Sequence, residues 1–422
     1  MIVLCVLLIF SSYGVYHLAM LSLDTVYQAS YALKGVIRQT DLIRAPKMFP
    51  DKEVYLKTEN LQNTGSFKVR GAYYKMTKLS AEERAKGVIA CSAGNHAQGV
   101  ALAAQALGID AIICVPEGAP ISKVEATRGY GATVELVKGV YDDAHNRAEE
   151  IAKETGRIMI HPFDDEDVIA GQGTIGLEIL DQLNDVDVVI VPVGGGGLIS
   201  GVAYAMKSLK PSIEIIGVQS IGAPSMVNSI EHHRKEMLSR VSTIADGIAV
   251  KEPGNLTFSL VEKYVDKMIT VSEDEVAVAI LDLMEKQKLV SEGAGAVSVA
   301  AAMSGRLDLD GKKTVCLISG GNIDVTILSR VINRALIKEG RIADITIELM
   351  DKPGQLMEVS SIVAQNGANV IGCFHDKTGN EETINACTLR ITMETRDKDH
   401  VDQIKKALLE AGFKFVGKQY GN

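Results

Sequence analysis

No lysine or arginine precedes Lys34, no two cysteines stand at C-x-x-C spacing, and the chain has no long basic run and no low-complexity segment. Each absence excludes a class of function. The formal charge is 44 − 53 = −9, so there is no electrostatic reason to bind nucleic acid or an anionic membrane surface. The six cysteines (Cys5, Cys91, Cys114, Cys316, Cys373 and Cys387) are scattered. Several fall in apolar strand-like runs such as VIACS and TVCLIS, which suits small buried residues in a reducing compartment. It does not suit a disulfide framework or a zinc site, and no metal ligand set is expected. The apolar stretch IVLCVLLIF at residues 2–10 lacks the basic flank of a secretory signal and is short of the ~20 residues of a membrane span. Amphipathic sequence begins just after Met20, so residues 1–23 are set apart as an N-terminal extension, with Met20 expected as the working start and the chain as a cytoplasmic protein.

At 422 residues the chain exceeds one typical core and predicts two or three domains. A helix is expected over residues 24–38, with Asp24 near its start. After it one grammar repeats: a short β-branched run, a glycine-containing loop, then an alanine-rich amphipathic stretch. EVYLKTE, GVIACS, AIICVPEG, VDVVIVPV, IEIIGVQS and KKTVCLIS are the runs. Such alternation predicts an α/β fold with right-handed crossovers and a mainly parallel, doubly covered sheet. Ligands gather at the carboxyl ends of its strands, where the glycine loops lie. Beyond residue 340, strand, Pro-Gly turn, helix, strand, strand, helix and strand follow in about 80 residues, a ferredoxin-like β-α-β-β-α-β order.

Four strand-loop-helix junctions carry the chemistry. In GSFKVRG, Lys68 stands at a predicted helix start, where the positive end of the helix dipole disfavours an ammonium and favours the nucleophilic amine. Most lysines are solvated surface charges; here Ser66 and Phe67 before it and Arg70-Gly71-Ala72 after it point to a packed setting. Gly194–Gly197 follow the buried run VDVVIVPV and open a helix. Backbone N–H groups with no side chains in the way form a cradle for a phosphate. No G-K-[ST] follows, and the spacing is not G-x-G-x-x-G. A plain tight turn needs one or two glycines, not four. In SAGNHAQG, Ser92 and neighbouring amides suit a carboxylate, Asn95 offers an amide to a phenolic oxygen or imine, and His96 reads as a packing or capping residue rather than a base. SGGN places Ser319 at a strand end, as a hydroxyl partner for a ring nitrogen. The acids Asp164–Asp167 read as a solvated turn and helix start, and Glu292 is open between a structural role and an approach to the site.

Together the motifs NTGSFKVRGA, SAGNHAQGVA, PVGGGGLISG, ADGIAVKEPGNLTF, SEGAGA and SGGNID resemble the fold-type II pyridoxal-phosphate enzymes, and within them the threonine and serine dehydratases. DKPGQLMEV and NGANVIG resemble an ACT domain. The resemblance implies a catalytic domain over 24–335, built as two open, mainly parallel α/β lobes with the smaller (about 70–165) inserted in the larger, and an ACT domain over 342–422. It implies pyridoxal 5'-phosphate held by Lys68 as a Schiff base, with Phe67, Asn95, Gly194, Gly195, Gly196, Gly197, Leu198 and Ser319 around it. Ser92, Ala93, Gly94 and His96 then face the amino-acid substrate. The implied reaction takes L-threonine to 2-oxobutanoate and ammonia, and L-serine to pyruvate as a side activity, in isoleucine synthesis or threonine breakdown. Racemases of this family carry a serine where this chain has Ala93, so racemisation is expected to be minor. An amino-acid effector is implied near Asp351, Pro353, Gly354, Gln355, Leu356 and Asn366, and a single ACT copy implies a homodimer or homotetramer.

Overall fold

The computed structural model describes residues 21–376 and 386–416. The apolar stretch, Met20 and the end of the expected last strand therefore lie outside the described residues. Strand Val188–Pro192 shows how the core is built. All five residues are buried, and alternate side chains serve opposite faces. Val188 and Ile190 pack in one apolar cluster with helices Gly293–Met303 and Glu273–Asp282. Val189 and Val191 pack in another with Ile199, Val202 and Met206 of helix Gly197–Leu209. A strand covered on both sides needs apolar residues throughout, which is why the run does not alternate with polar residues.

That strand sits inside a six-stranded sheet ordered Leu42–Arg44, Val54–Lys57, Thr314–Leu317, Val188–Pro192, Glu214–Ser220, Lys267–Val271. The first pair is antiparallel and every other pair parallel. A second sheet, all parallel, is ordered Thr133–Val137, Ala111–Pro116, Val88–Cys91, Ile158–Met159. The third is antiparallel, ordered Asn369–Asp376, Ala386–Glu394, Ile342–Met350, Lys414–Phe415, with helices Gln355–Gln365 and Lys398–Glu410. Its core is Ile345, Ile347, Leu349, Leu389, Ile391 and Met393 against Val359, Val363, Ile404 and Leu408. No helix among the described residues is long and apolar enough to cross a membrane.

Two departures from the sequence reading have physical causes. The first helix spans Leu23–Ala32, capped by Ser22, rather than 24–38. Gly35, at φ +79°, turns the chain left-handed and ends helical progress. Four strands had no expected counterpart: Leu42–Arg44, Thr133–Val137, Ile158–Met159 and Lys267–Val271. All four are sheet edges, and Thr133–Val137 has no fully buried residue. Edge strands bury less, so they carry a weaker apolar signature.

Helix Lys68–Thr77 is fixed by close crossings. A Cβ on Gly171 would lie 2.6 Å from the Gly71 Cα, and one on Gly99 would lie 3.0 Å from the Lys68 carbonyl carbon. Behind this helix is a buried charge cluster. Arg70, fully buried, donates to both oxygens of Glu59 (2.8 and 2.7 Å) and of Glu178 (2.6 and 3.0 Å). Lys57 Nζ donates to Glu178 (2.6 Å), the Thr40 carbonyl and Gln182. Two cations balance two carboxylates, and the pairing holds the Glu59 carboxyl below its usual range although burial alone would raise it. Arg70→Met should therefore cost about 3–5 kcal/mol in a denaturant titration, because Glu59 is left buried without its principal partner. A loss below about 1 kcal/mol would show that the cluster is not structural.

Candidate active site

Lys68 is the first residue of its helix, after Phe67, which supplies no side-chain cap. Its Nζ donates to the Pro162 carbonyl at 2.9 Å. Burial pushes the ammonium pKa down to about 8, opposed by the charge of Glu292. The free-amine fraction at neutral pH is then roughly a hundredfold or more above that of a solvated lysine, which suits addition to an aldehyde.

The tetraglycine turn lies at the carboxyl end of Val188–Pro192, with Gly196 at φ +100° and Gly197 opening the next helix. A Cβ on Gly195 would stand 2.5 Å from the Phe163 ring, and one on Gly197 2.8 Å from the Phe163 Cα. The loop therefore presses its backbone onto residue 163, a contact that any side chain would prevent. Among the described residues, the amides of Gly194 through Leu198 have no hydrogen-bond acceptor within the protein. Five consecutive unpaired N–H groups at a helix start, most of them in buried residues, call for an anion.

The segment His161–Asp164 thus touches both chemical groups, through Pro162 to Lys68 and through Phe163 to the glycines. His161 Nδ1 accepts from the Asp164 amide (2.8 Å) and its ring meets Phe163 edge-on. Asp164 accepts from the amides of Asn255, Leu256 and Thr257 and so caps a distant helix, while Asp165 caps its own. The acids form the expected turn and helix start, but the turn is half-buried rather than solvated and serves as a structural hub. The acids gave no sign of this because their partners are about 90 residues away in sequence.

A hydrogen-bonded network joins the remaining motifs. Asn95, first in helix Asn95–Leu107, donates to Glu292 Oε1 (2.6 Å) and accepts from Asn322 Nδ2 (2.9 Å). Asn322 also donates to the Thr64 carbonyl (2.7 Å). Burial, reinforced by Asp246, raises the Glu292 carboxyl to about 7. A Cβ on Gly320 would lie 2.4 Å from its Oε1. Ser319 is 3% exposed, and its carbonyl accepts from the Phe67 amide at 3.1 Å. Phe67 is buried in the large apolar cluster, with its ring centroid 5.3 Å from Lys68 Nζ. The sequence left Glu292 open between a structural role and an approach to the site and did not single out Asn322; nothing local marked either as a partner of Asn95.

Around the turn after Val88–Cys91, Ser92 Oγ accepts from the Gly94 amide (3.2 Å), and Ala93 packs on the apolar cluster of the second sheet. The amides of Ala93, Asn95, His96 and Ala97 have no acceptor among the described residues. Lys123, paired with Asp246 at 2.6 Å, lies 3.9 Å from where a Gly94 Cβ would be. The His96 side chain is buried: its Nε2–H donates to the Ile160 carbonyl (2.8 Å), and burial, with the nearby Lys68 charge, lowers its pKa to about 3. In the C-terminal unit, Pro353, Gly354 and Gln355 line a surface groove of about 570 Å³ together with Lys352 and Glu358. Asp351 and Leu356 are exposed beside it, whereas the Asn366 amide turns back onto the Ile362 carbonyl.

A weakly basic amine, an anion cradle, a neutral amide held by two partners and a serine at a strand end fit a phosphorylated pyridine aldehyde. Residues 33–321 match the family model of pyridoxal-phosphate dependent enzymes. The chain is 51% identical to the L-threonine ammonia-lyase of Thermotoga maritima over 396 residues, 93% of this chain and 98% of that one. Its structure is similar to the processed threonine deaminase isoform 2 of Solanum lycopersicum (TM-score 0.70, 40% identity, 74% of this chain and 94% of that one). It is also similar to maize serine racemase (TM-score 0.71, 34% identity, 75% of this chain and 98% of that one). This chain belongs to the family of pyridoxal-phosphate dependent enzymes.

Proposed function

We propose that the chain deaminates L-threonine to 2-oxobutanoate and ammonia, with L-serine to pyruvate as the slower reaction. The observation that carries this is the likeness to the Thermotoga lyase along nearly the whole chain, catalytic and C-terminal parts together. Bound pyridoxal 5'-phosphate supplies the electron sink for carbanion chemistry. In this assignment Lys68 holds its aldehyde and, once free, takes the α-proton. The amides of Gly194 to Leu198 hold the phosphate, Asn95 the phenolic oxygen, and the Ser319 hydroxyl the ring nitrogen without protonating it. Phe67 packs beside Lys68. The unpaired amides between Ala93 and Ala97, with Ser92, Gly94 and nearby Lys123, receive the substrate carboxylate, and His96 supports this turn from behind. The likeness to a serine racemase supports a second reading, which Ala93 opposes: it offers no hydroxyl to return a proton from the other face.

The C-terminal unit is assigned an amino-acid effector in the groove of Pro353, Gly354 and Gln355, near Asp351, Leu356 and Asn366. Exposed Met350, Met357, Ile371 and Phe374 support pairing of this unit between chains as a homodimer or homotetramer. Cys91, Cys114, Cys316 and Cys373 stand outside any disulfide, which supports a cytoplasmic setting.

Initial rates should be higher with L-threonine than with L-serine, and D-serine should form far more slowly than pyruvate. D-serine outpacing pyruvate would replace this reading with the racemase. Lys68→Ala should lower turnover at least about 10³-fold and remove the lysine-linked absorbance of the cofactor. Reconstitution of cofactor-free protein should speed up as pH rises through about 8, because only the neutral Lys68 amine adds to the aldehyde. Glu292 favours the Lys68 ammonium, so Glu292→Gln should move that midpoint to lower pH. A midpoint near 10, or an upward move in the variant, would contradict the account.

A further inference from the structure

One end of the antiparallel sheet gathers three side chains that are distant in sequence. Asp351 follows strand Ile342–Met350, His375 is next to last in Asn369–Asp376, and Cys387 is second in Ala386–Glu394. Cys387 is registered opposite Leu349, and His375 opposite Leu389, two residues along from Cys387 and so on the same face. The carboxylate, imidazole and thiol donor atoms all lie within 4.8 Å of one another. His375 Nε2 stands 2.9 Å from Cys387 Sγ. Cys387 is 2% exposed, while Asp351 and His375 are open to solvent.

We propose that Asp351, His375 and Cys387 bind one divalent transition-metal ion of the zinc class. Sulfur and imidazole donors select such ions, whereas magnesium and calcium prefer all-oxygen sites. Bonds of about 2.0–2.3 Å in tetrahedral geometry separate ligand atoms by roughly 3.5 Å. The donors lie within 4.8 Å of one another, close to that spacing, and His375 and Cys387, at 2.9 Å, need to part by only about half an ångström. The ion ties the ends of three neighbouring strands together. Three protein ligands leave a fourth position on the solvent side, for water or for a carboxylate or amine of a small molecule. Asp351 immediately precedes Lys352, the first residue of the groove, so a ligand held there would be in reach of the ion's open position. The site does not depend on the reaction assigned above.

Cobalt(II) titrated into the holoenzyme tests this, since a cobalt–thiolate bond gives a near-ultraviolet charge-transfer band that oxygen and nitrogen ligands lack. One cobalt per chain should bind with that band, and zinc should displace it. Cys387→Ser should remove the band. His375→Ala and Asp351→Asn, both at exposed positions, should weaken binding at least about tenfold, and Cys373→Ser, two residues before His375, should change nothing. The proposal is overturned if no thiolate band appears, if the band survives Cys387→Ser, if it is lost in Cys373→Ser, or if both exposed-ligand variants bind cobalt as well as the parent.

Discussion

The catalytic end of this molecule depends on one close contact, the backbone of the tetraglycine loop against Phe163. Ring atoms crowd the place where a Cβ on Gly195 would be, and the loop's carbonyls accept from the Thr257 hydroxyl and the Ser200 amide, so the loop is held without the use of its own amides. That leaves the amides of Gly194 to Leu198 for a ligand. The same short segment presents the Pro162 carbonyl to Lys68, so anion cradle and amine share one support.

Electrostatics divides into two parts on either side of helix Lys68–Thr77. Behind it, Arg70 and Lys57 neutralise Glu59 and Glu178 in a network whose members are all paired. This anchors the helix without placing net charge near the site. In front, Lys68 and Glu292 are left in conditions that weaken their charges: the lysine becomes a weaker base and the glutamate a weaker acid. Burial is the largest cause for both. Each pKa is thereby moved toward neutrality.

Much of this was legible in the sequence. The fully buried strands were readable as continuous apolar runs, and the junctions bearing Lys68, Asn95, Gly194–Gly197 and Ser319 were visible as glycine-rich breaks after them. What stayed hidden was non-local. The four edge strands bury too little to imprint a pattern. Asp164 looked solvated because the helix it caps begins at Asn255, and Arg70 could be read as packed but not as paired, because Glu178 lies 108 residues away. The cysteines gave no metal spacing, yet strand register gathers Asp351, His375 and Cys387 on one sheet end. Local grammar reports which segments turn and which are buried; partners across the fold follow only from topology.

The central claim is that the glycine-only loop exists to leave its amides to the cofactor's phosphate. Its most direct test compares the affinity of Gly195→Ala and the parent protein for pyridoxal 5'-phosphate and for unphosphorylated pyridoxal. The account predicts at least about a tenfold loss for the phosphorylated form and little change for pyridoxal, with the fold retained. Equal losses for both, or parent-like binding of the phosphorylated form, would contradict it.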